Sequence, residues 1–364
     1  MNVGIVGAGF AGTAAAVFLA RDGHRVTLYE RAEVPGPVGA AIILQPTGLA
    51  VLGRLGLADT VCARATRLTG LKVVSPRGRR IVDLSYDALD PTWFGIGVHR
   101  GVLFESLIAS AHAADVTLRT GVDVDGLGRD GDGRWVLSAD VRHGPHDLVI
   151  VADGTRSRIA GLVAPRRVKP YAWGALWFVG PDPGGAAHLR QVARGNRTFL
   201  GVLPTGLGPC AGAVTPPITP LATLFWSVRA DRVDALRTNF ASWCKDVLAL
   251  APYAEPLVAA IPDPAALLFS RYADVRMARL HDADTVVIGD AAHAMSPQLG
   301  QGTNLALWDA LALADALANP NCPLAAQLAT FAATRRRSLR FYQTRDPLAH
   351  ASVPKRPRLA RLAP

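Results

Sequence analysis

Three observations predict an α/β fold in which a parallel sheet is interrupted by an inserted antiparallel one. Apolar or β-branched runs at 3–6, 147–152 and 285–288 read as strands buried on both faces, as parallel sheets require. A glycine-rich loop follows the first run at once and opens a helix. Between 168 and 275, aromatic and β-branched runs alternate with turn residues, the pattern of an antiparallel sheet.

The first strand runs into Gly7-Ala8-Gly9-Phe10-Ala11-Gly12 and a helix of small residues over 13–19. In that setting one glycine makes the turn, one admits a pyrophosphate and one lets helix and strand pack closely. A Rossmann-like dinucleotide site is the expectation. A second strand at 25–29 ends in Glu30, 18 residues after Gly12, placed to accept hydrogen bonds from an adenosine ribose and opposed to a 2′-phosphate.

Residues 70–82 read as a hairpin around a Pro-Arg-Gly turn. Arg100 stands at a helix start, and Val124 follows a strand at 117–120. The glycines of 126–131 follow no long buried strand and lead into turn residues, which argues against a second dinucleotide fold. The strand at 147–152 ends in Asp153-Gly154. Runs at 175–179, 198–203 and 223–228 predict one antiparallel sheet with a helix at 239–250 across it. Trp177, Phe199 and Trp226 on it are candidate substrate-pocket aromatics, and each also reads as plain core.

The strand at 285–288 ends in Gly289-Asp290-Ala291-Ala292-His293, and Asp290 points into the crevice beyond it. Gly300 and Gly302 leave backbone N–H groups bare where a helix over 303–317 begins, so its positive end faces the same crevice. An anionic or polyol-bearing ligand suits that place. No Ser-His-Asp set or paired carboxylate stands out, and no general base is assigned.

At 364 residues, 50% hydrophobic and 19% charged, the chain can bury a large core in about two domains. The segments 1–65, 98–165 and 276–345 are assigned to a discontinuous nucleotide domain, 66–97 and 166–275 to a substrate domain, and 346–364 to a basic, Pro-containing tail. No run of 18 apolar residues exists and the first strand starts at residue 3, so neither membrane span nor signal peptide is expected. Cys62, Cys210, Cys244 and Cys322 lack CxxC or metal spacing, which leaves the cytoplasm as the default and sets aside zinc sites and disulfide reductases. The net charge of +10 gathers near the end, at Arg335, Arg336, Arg337, Arg340 and Arg345 and beyond. It reads as a solvated helix face and loose tail rather than a nucleic-acid surface, and its field favours an anionic nicotinamide cofactor or acidic substrate.

Jointly and in this order, the GAGFAG loop with Glu30-Arg31, the Ala152-Asp153-Gly154 segment and the Gly289-to-His293 segment resemble the p-hydroxybenzoate hydroxylase-like, FAD-dependent aromatic monooxygenases, over residues 1 to about 345. The resemblance implies a Rossmann-like FAD-binding domain with an inserted antiparallel substrate domain. It implies FAD contacts for Gly7, Gly9, Ala11, Gly12, Arg31, Asp153, Gly154 and Gly289, with Glu30 on the adenosine ribose and Asp290 on a ribityl hydroxyl. Gly300, Gln301, Gly302, Thr303 and Asn304 would sit against the isoalloxazine, their N–H groups stabilising reduced flavin. Arg100 would approach the pyrophosphate or ribityl chain, the Val124 backbone the adenine, and Pro297 the flavin's reactive edge; His293 would tie down its loop.

The family's chemistry is reduction of FAD by NADPH or NADH, addition of O2 at flavin C4a, and transfer of one oxygen atom from the hydroperoxide to an aromatic or polyketide-like small molecule. Two departures stand against the pattern. Ala160 occupies a place where relatives carry arginine, with Arg156 and Arg158 just before it, and the short carboxy-terminal part leaves the oligomeric state open. A reductase or dehydrogenase of the same fold, and a non-catalytic flavoprotein that sequesters an aromatic ligand, are the alternative readings.

Overall fold

Strands apolar on both faces need cover on both sides, and here the two covers differ. In the computed structural model, which describes residues 1–36, 40–184, 186–195, 198–210, 218–297 and 300–345, five parallel strands stand in the order Thr285–Val287, Leu148–Val151, Asn2–Val6, Arg25–Tyr29, Thr117–Arg119. Val3, Ile5, Leu28, Leu148 and Ile150 face the helices Phe10–Arg21, Arg100–Ala113 and Gly302–Leu317. Val6, Tyr29, Val149 and Val151 face the other way, with Val136 of a three-stranded meander, Gly126–Asp130, Gly133–Ser138 and Val141–His146. The glycine-rich stretch after 126, expected as turn, is thus strand. Its Asp-Gly-Asp-Gly repeat makes the first hairpin, and the alternation around it is too short to stand out in sequence.

Register fixes where the loops emerge. Val6 pairs with both Tyr29 and Val151, and Val151 with Val287, so these four strands end level. Gly7, Glu30, Asp153 and Gly289 therefore leave the sheet along one edge, the carboxyl edge where open α/β sheets bind ligands.

The second sheet has seven strands in the order Leu268–Met277, Arg166–Pro181, Leu221–Arg229, Thr198–Gly206, His188–Arg194, Gly70–Val74, Arg80–Ser85. The hairpin near residue 70 and the strands beyond 166 share this sheet. It is mixed rather than purely antiparallel, because His188–Arg194 runs parallel to Gly70–Val74. Helix Phe240–Leu250 covers one face. A small sheet of Ala41–Leu44, Gly95–His99 and Thr66–Leu68 lies against the other and joins it to the nucleotide part.

The terminal helix Leu324–Arg345 departs from the sequence reading. Arg336, Arg337 and Arg340 are exposed as expected, but Arg335 is 1% exposed and charge-paired inside the protein. Residues 346–364 lie outside the described residues. No helix among the described residues is long and apolar enough to cross a membrane, and they contain no metal-holding cluster.

Two glycine substitutions should have opposite signs. A Cβ at Gly97 would collide with the Pro204 carbonyl where the small sheet meets the large one, whereas at Gly53, in helix Pro46–Arg54, it meets nothing within 4 Å. Gly97→Ala should cost about 1–3 kcal/mol in urea unfolding and Gly53→Ala should add about 0.5–1 kcal/mol. The reverse order of midpoints would contradict this packing.

Candidate active site

The three glycines of the first loop do three different things. Gly7 has φ +103°, and a Cβ there would lie 2.6 Å from the Ala152 carbonyl oxygen. A Cβ at Gly12 would strike the Gly7 carbonyl, so the helix can rest directly on its own loop. At Gly9 a Cβ would meet nothing within 4 Å, so the bare backbone before the helix faces open space. Ala8 N–H donates to Glu30 Oε2 (2.9 Å) and Ala32 N–H to Oε1 (3.0 Å), so one carboxylate braces the loops after two neighbouring strands. A cleft of about 230 Å³ lies between Gly9, Glu30, Arg31, Val124, Asp153 and Gly154. Asp153 Oδ1 is enclosed there without a partner, and burial pushes this carboxyl above its ordinary range.

The distant Gly289 segment reaches the same edge. Gly289 has φ +61°, and its missing Cβ would lie 2.9 Å from the Ala11 Cβ. Asp290 is exposed, with Gly302 beside it. The Arg100 guanidinium carbon stands 5.1 Å from the Phe10 ring centre, and its Nε is enclosed with no partner. Burial lowers its pKa and Asp290 opposes that shift.

Beneath this edge is a buried charged lock. Asp309 accepts from the Gly289 N–H (2.8 Å) and from Arg335 Nε–H (2.6 Å), and His293 Nε2 lies 2.5 Å from its Oδ2. Burial alone would raise the Asp309 carboxyl; His293, Arg335 and the Gly289 N–H overcome it and hold it at about 2. His293 is therefore a tie, as the family resemblance implied, and Asp309 and Arg335 are partners that the sequence did not reveal.

The Gly300 loop is braced from below. Asn304 Oδ1 accepts from Gln45 N–H (2.9 Å), and Nδ2 donates to the carbonyls of Gly300 (2.7 Å) and Ile43 (3.1 Å). Gln301 Nε2 donates to Gln45 Oε1 (2.6 Å). The side chains of Gln301 and Asn304 are thus buried braces, which leaves only their backbone to face a ligand. Gly300 has φ +62°, a Cβ there would strike Ile43, and its N–H, expected from the sequence to be bare, is donated to the Pro297 carbonyl (2.9 Å) because the loop turns back on itself. Gly302 and Thr303 open helix Gly302–Leu317, whose first N–H groups have no intrahelical acceptor.

Strand alternation sorts the aromatics of the large sheet. Trp226 is 7% exposed, packs edge-on against Trp243 (6.2 Å) and belongs to the core under helix Phe240–Leu250. It faces away from the cleft, and the pocket expectation fails for it. Its neighbour Phe225 is on the opposite face, with its ring 5.2 Å from Trp177 and in contact with the cluster of Ala41, Ile43 and Leu203 beside the Gly300 loop. Phe199 shares that face, with its N–H on Ser227 Oγ (2.7 Å). Sequence reasoning missed Tyr272. Its hydroxyl pairs with Trp177, burial pushes its pKa above the ordinary value, and its strand is tied to the segment before Pro297 by Val275 N–H on the Ala294 carbonyl (2.9 Å).

A family described as "FAD binding domain" matches residues 1–179 and 263–338, well over half of the chain. The chain belongs to the FAD-dependent monooxygenase family. It is 29% identical over 342 residues to the aurachin C monooxygenase/isomerase of Stigmatella aurantiaca, covering 92% of this chain and 85% of that one. It is 30% identical over 367 residues to the kynurenine 3-monooxygenase of Xanthomonas axonopodis pv. citri, covering 91% and 75%. A probable FAD-dependent monooxygenase from Pseudomonas aeruginosa has the same fold, with TM-score 0.82, 23% identity and coverage of 95% and 94%. So does 2-methyl-3-hydroxypyridine-5-carboxylic acid oxygenase, at 0.80, 20%, 96% and 91%. FAD suits the residues present: open backbone at Gly9, an unpartnered Arg100 Nε and an unpartnered Asp153 oxygen line the edge where an extended dinucleotide would lie.

The buried lock predicts a pH signature. Arg335→Met leaves an under-compensated carboxylate in the core and should cost about 3–5 kcal/mol in urea unfolding at pH 7. The folded pKa of Asp309 is depressed from 3.8, so the paired carboxylate's contribution is complete above that value. The gap between wild type and variant should therefore narrow as pH falls from about 4 to about 2. A gap independent of pH would contradict the assignment.

Proposed function

We propose that this flavin monooxygenase uses NADPH or NADH and O2 to hydroxylate a small aromatic molecule. The observation that carries the reading is an aromatic sheet face in which Tyr272 meets Trp177, Trp177 meets Phe225, and Phe225 packs on the cluster of Ile43, the residue against which Gly300 rests. Bound FAD supplies electron uptake from a nicotinamide nucleotide and oxygen activation. The chain's own residues do the rest.

In this reading Gly9 admits the FAD pyrophosphate to the start of helix Phe10–Arg21, with Gly7 and Gly12 making the turn and the close packing behind it and Arg100 as the counter-charge. Glu30 takes the adenosine ribose, with Arg31, Val124, Asp153 and Gly154 around the adenosine end. Asp290 holds the ribityl chain, and Ala11 and Gly289 provide the close packing beneath it. The N–H groups of Gln301, Gly302 and Thr303 would direct positive dipoles at the flavin ring and favour negative charge there, whereas the Gly300 N–H is taken by the Pro297 carbonyl. Pro297, Trp177, Phe199 and Phe225 line an apolar pocket that keeps water from the reacting centre. Tyr272, a phenol that burial keeps protonated, donates a hydrogen bond to a polar atom of the aromatic substrate. Four unpaired cysteines support a reducing, cytoplasmic setting.

The decisive experiment purifies the protein and screens aromatic compounds for stimulated NAD(P)H oxidation with mass detection. A product heavier by one oxygen atom is expected. A change of two hydrogens, or no turnover, would overturn monooxygenation. Gly9→Val and Asp290→Ala should each emerge largely colourless, because one obstructs the phosphate approach and the other removes a hydroxyl partner; full yellow occupancy in both would refute the cofactor assignment. With a substrate in hand, Tyr272→Phe should lower kcat/KM about tenfold, the loss of one buried hydrogen bond, with flavin content unchanged. Unaltered kinetics would remove Tyr272 from the pocket.

A further inference from the structure

A cavity of about 310 Å³ opens on the other face of the large sheet. Its floor is Lys72, Arg190 and Val192, which share a face with Leu200 and Val202, both in the core under helix Phe240–Leu250. Leu250 and Tyr253 wall it, and His188 lies at its rim.

Its positive charges are only partly compensated. Lys72 and Arg190 stand directly opposite on parallel strands, an unfavourable placement for like charges. Among the described residues, none of Lys72, His188 and Arg190 forms an ion pair with a carboxylate. Asp83, across from Lys72 on the next strand, pairs with Arg80 instead (3.3 Å). Arg190 is held in place, its guanidinium carbon 3.9 Å from the Tyr253 ring centre and Nη2 donating to the Gly184 carbonyl (3.2 Å). Its Nε is enclosed without a partner. Burial, then Lys72 and Arg190, lowers the His188 pKa, with Asp83 opposing.

We propose that this cavity is a second ligand site, separate from the flavin cleft, for a small organic anion with an apolar body. The anionic oxygens sit between Lys72, His188 and Arg190, and the body lies against Val192, Leu250 and Tyr253. Carboxylate and phosphate heads share this chemistry.

The test is calorimetric titration of the FAD-loaded enzyme with 2-naphthoate, 2-naphthyl phosphate and neutral 2-naphthamide, together with NMR of the His188 ring. At least one anion should bind tenfold or more tightly than the amide and raise the His188 pKa, and the stronger of the two names the head. Lys72→Met with Arg190→Met should abolish the preference while flavin content and NAD(P)H oxidation stay unchanged. Equal affinity for anions and amide would overturn the site. So would binding that shifts the flavin spectrum yet leaves His188 unmoved, since the ligand would then occupy the flavin-side pocket. Should the double variant fail to fold, the His188 response of the wild type decides alone.

Discussion

The Asp309 carboxylate, sealed in the interior, is the constraint on which the nucleotide end rests. It meets the Gly289 backbone, the His293 ring and the Arg335 guanidinium at once, so one charge ties a strand-end loop, a core helix and the terminal helix together. A buried ion on its own would be strongly unfavourable, and only this full set of partners makes it tolerable. That completeness makes the arrangement specific. The loop bearing Asp290 has one position in which all three contacts are made.

Above this lock, strand register does the assembling. Four parallel strands ending level bring Gly7, Glu30, Asp153 and Gly289 to one edge although the chain visits them far apart. Missing side chains then set the spacing: Gly7 against Ala152, Gly12 against Gly7, Gly289 against Ala11 and Gly300 against Ile43. At Gly9 alone among the loop's three glycines the space stays open, which separates the two glycines that packing requires from the one that leaves its backbone bare.

Features carried by local pattern were legible in the sequence. The strand–glycine–helix run, the acid after the second strand and the Gly289 segment announce themselves within a few residues, and each stands where the reading put it. Long-range features were not legible. Asp309 lies among leucines and alanines of helix Gly302–Leu317, and only its isolation on an apolar face hinted at a buried partner; Arg335, in a run of arginines, looked like its solvated neighbours. Phe225 and Trp226 show the limit most clearly. Alternation says that adjacent residues face opposite ways, but the phase is set by helix Phe240–Leu250, so sequence alone does not show that Trp226 lies under that helix and Phe225 on the opposite face. Tyr272 lies on strand Leu268–Met277, which the sequence pattern does not mark.

Arg335 also bears on how the protein is made. The ribosome threads out every strand of the nucleotide sheet before it adds the residue that neutralises Asp309. Until helix Leu324–Arg345 docks, Asp309 has only the Gly289 N–H and the His293 ring, so the carboxyl-terminal helix completes the set of partners that holds the Gly289 loop.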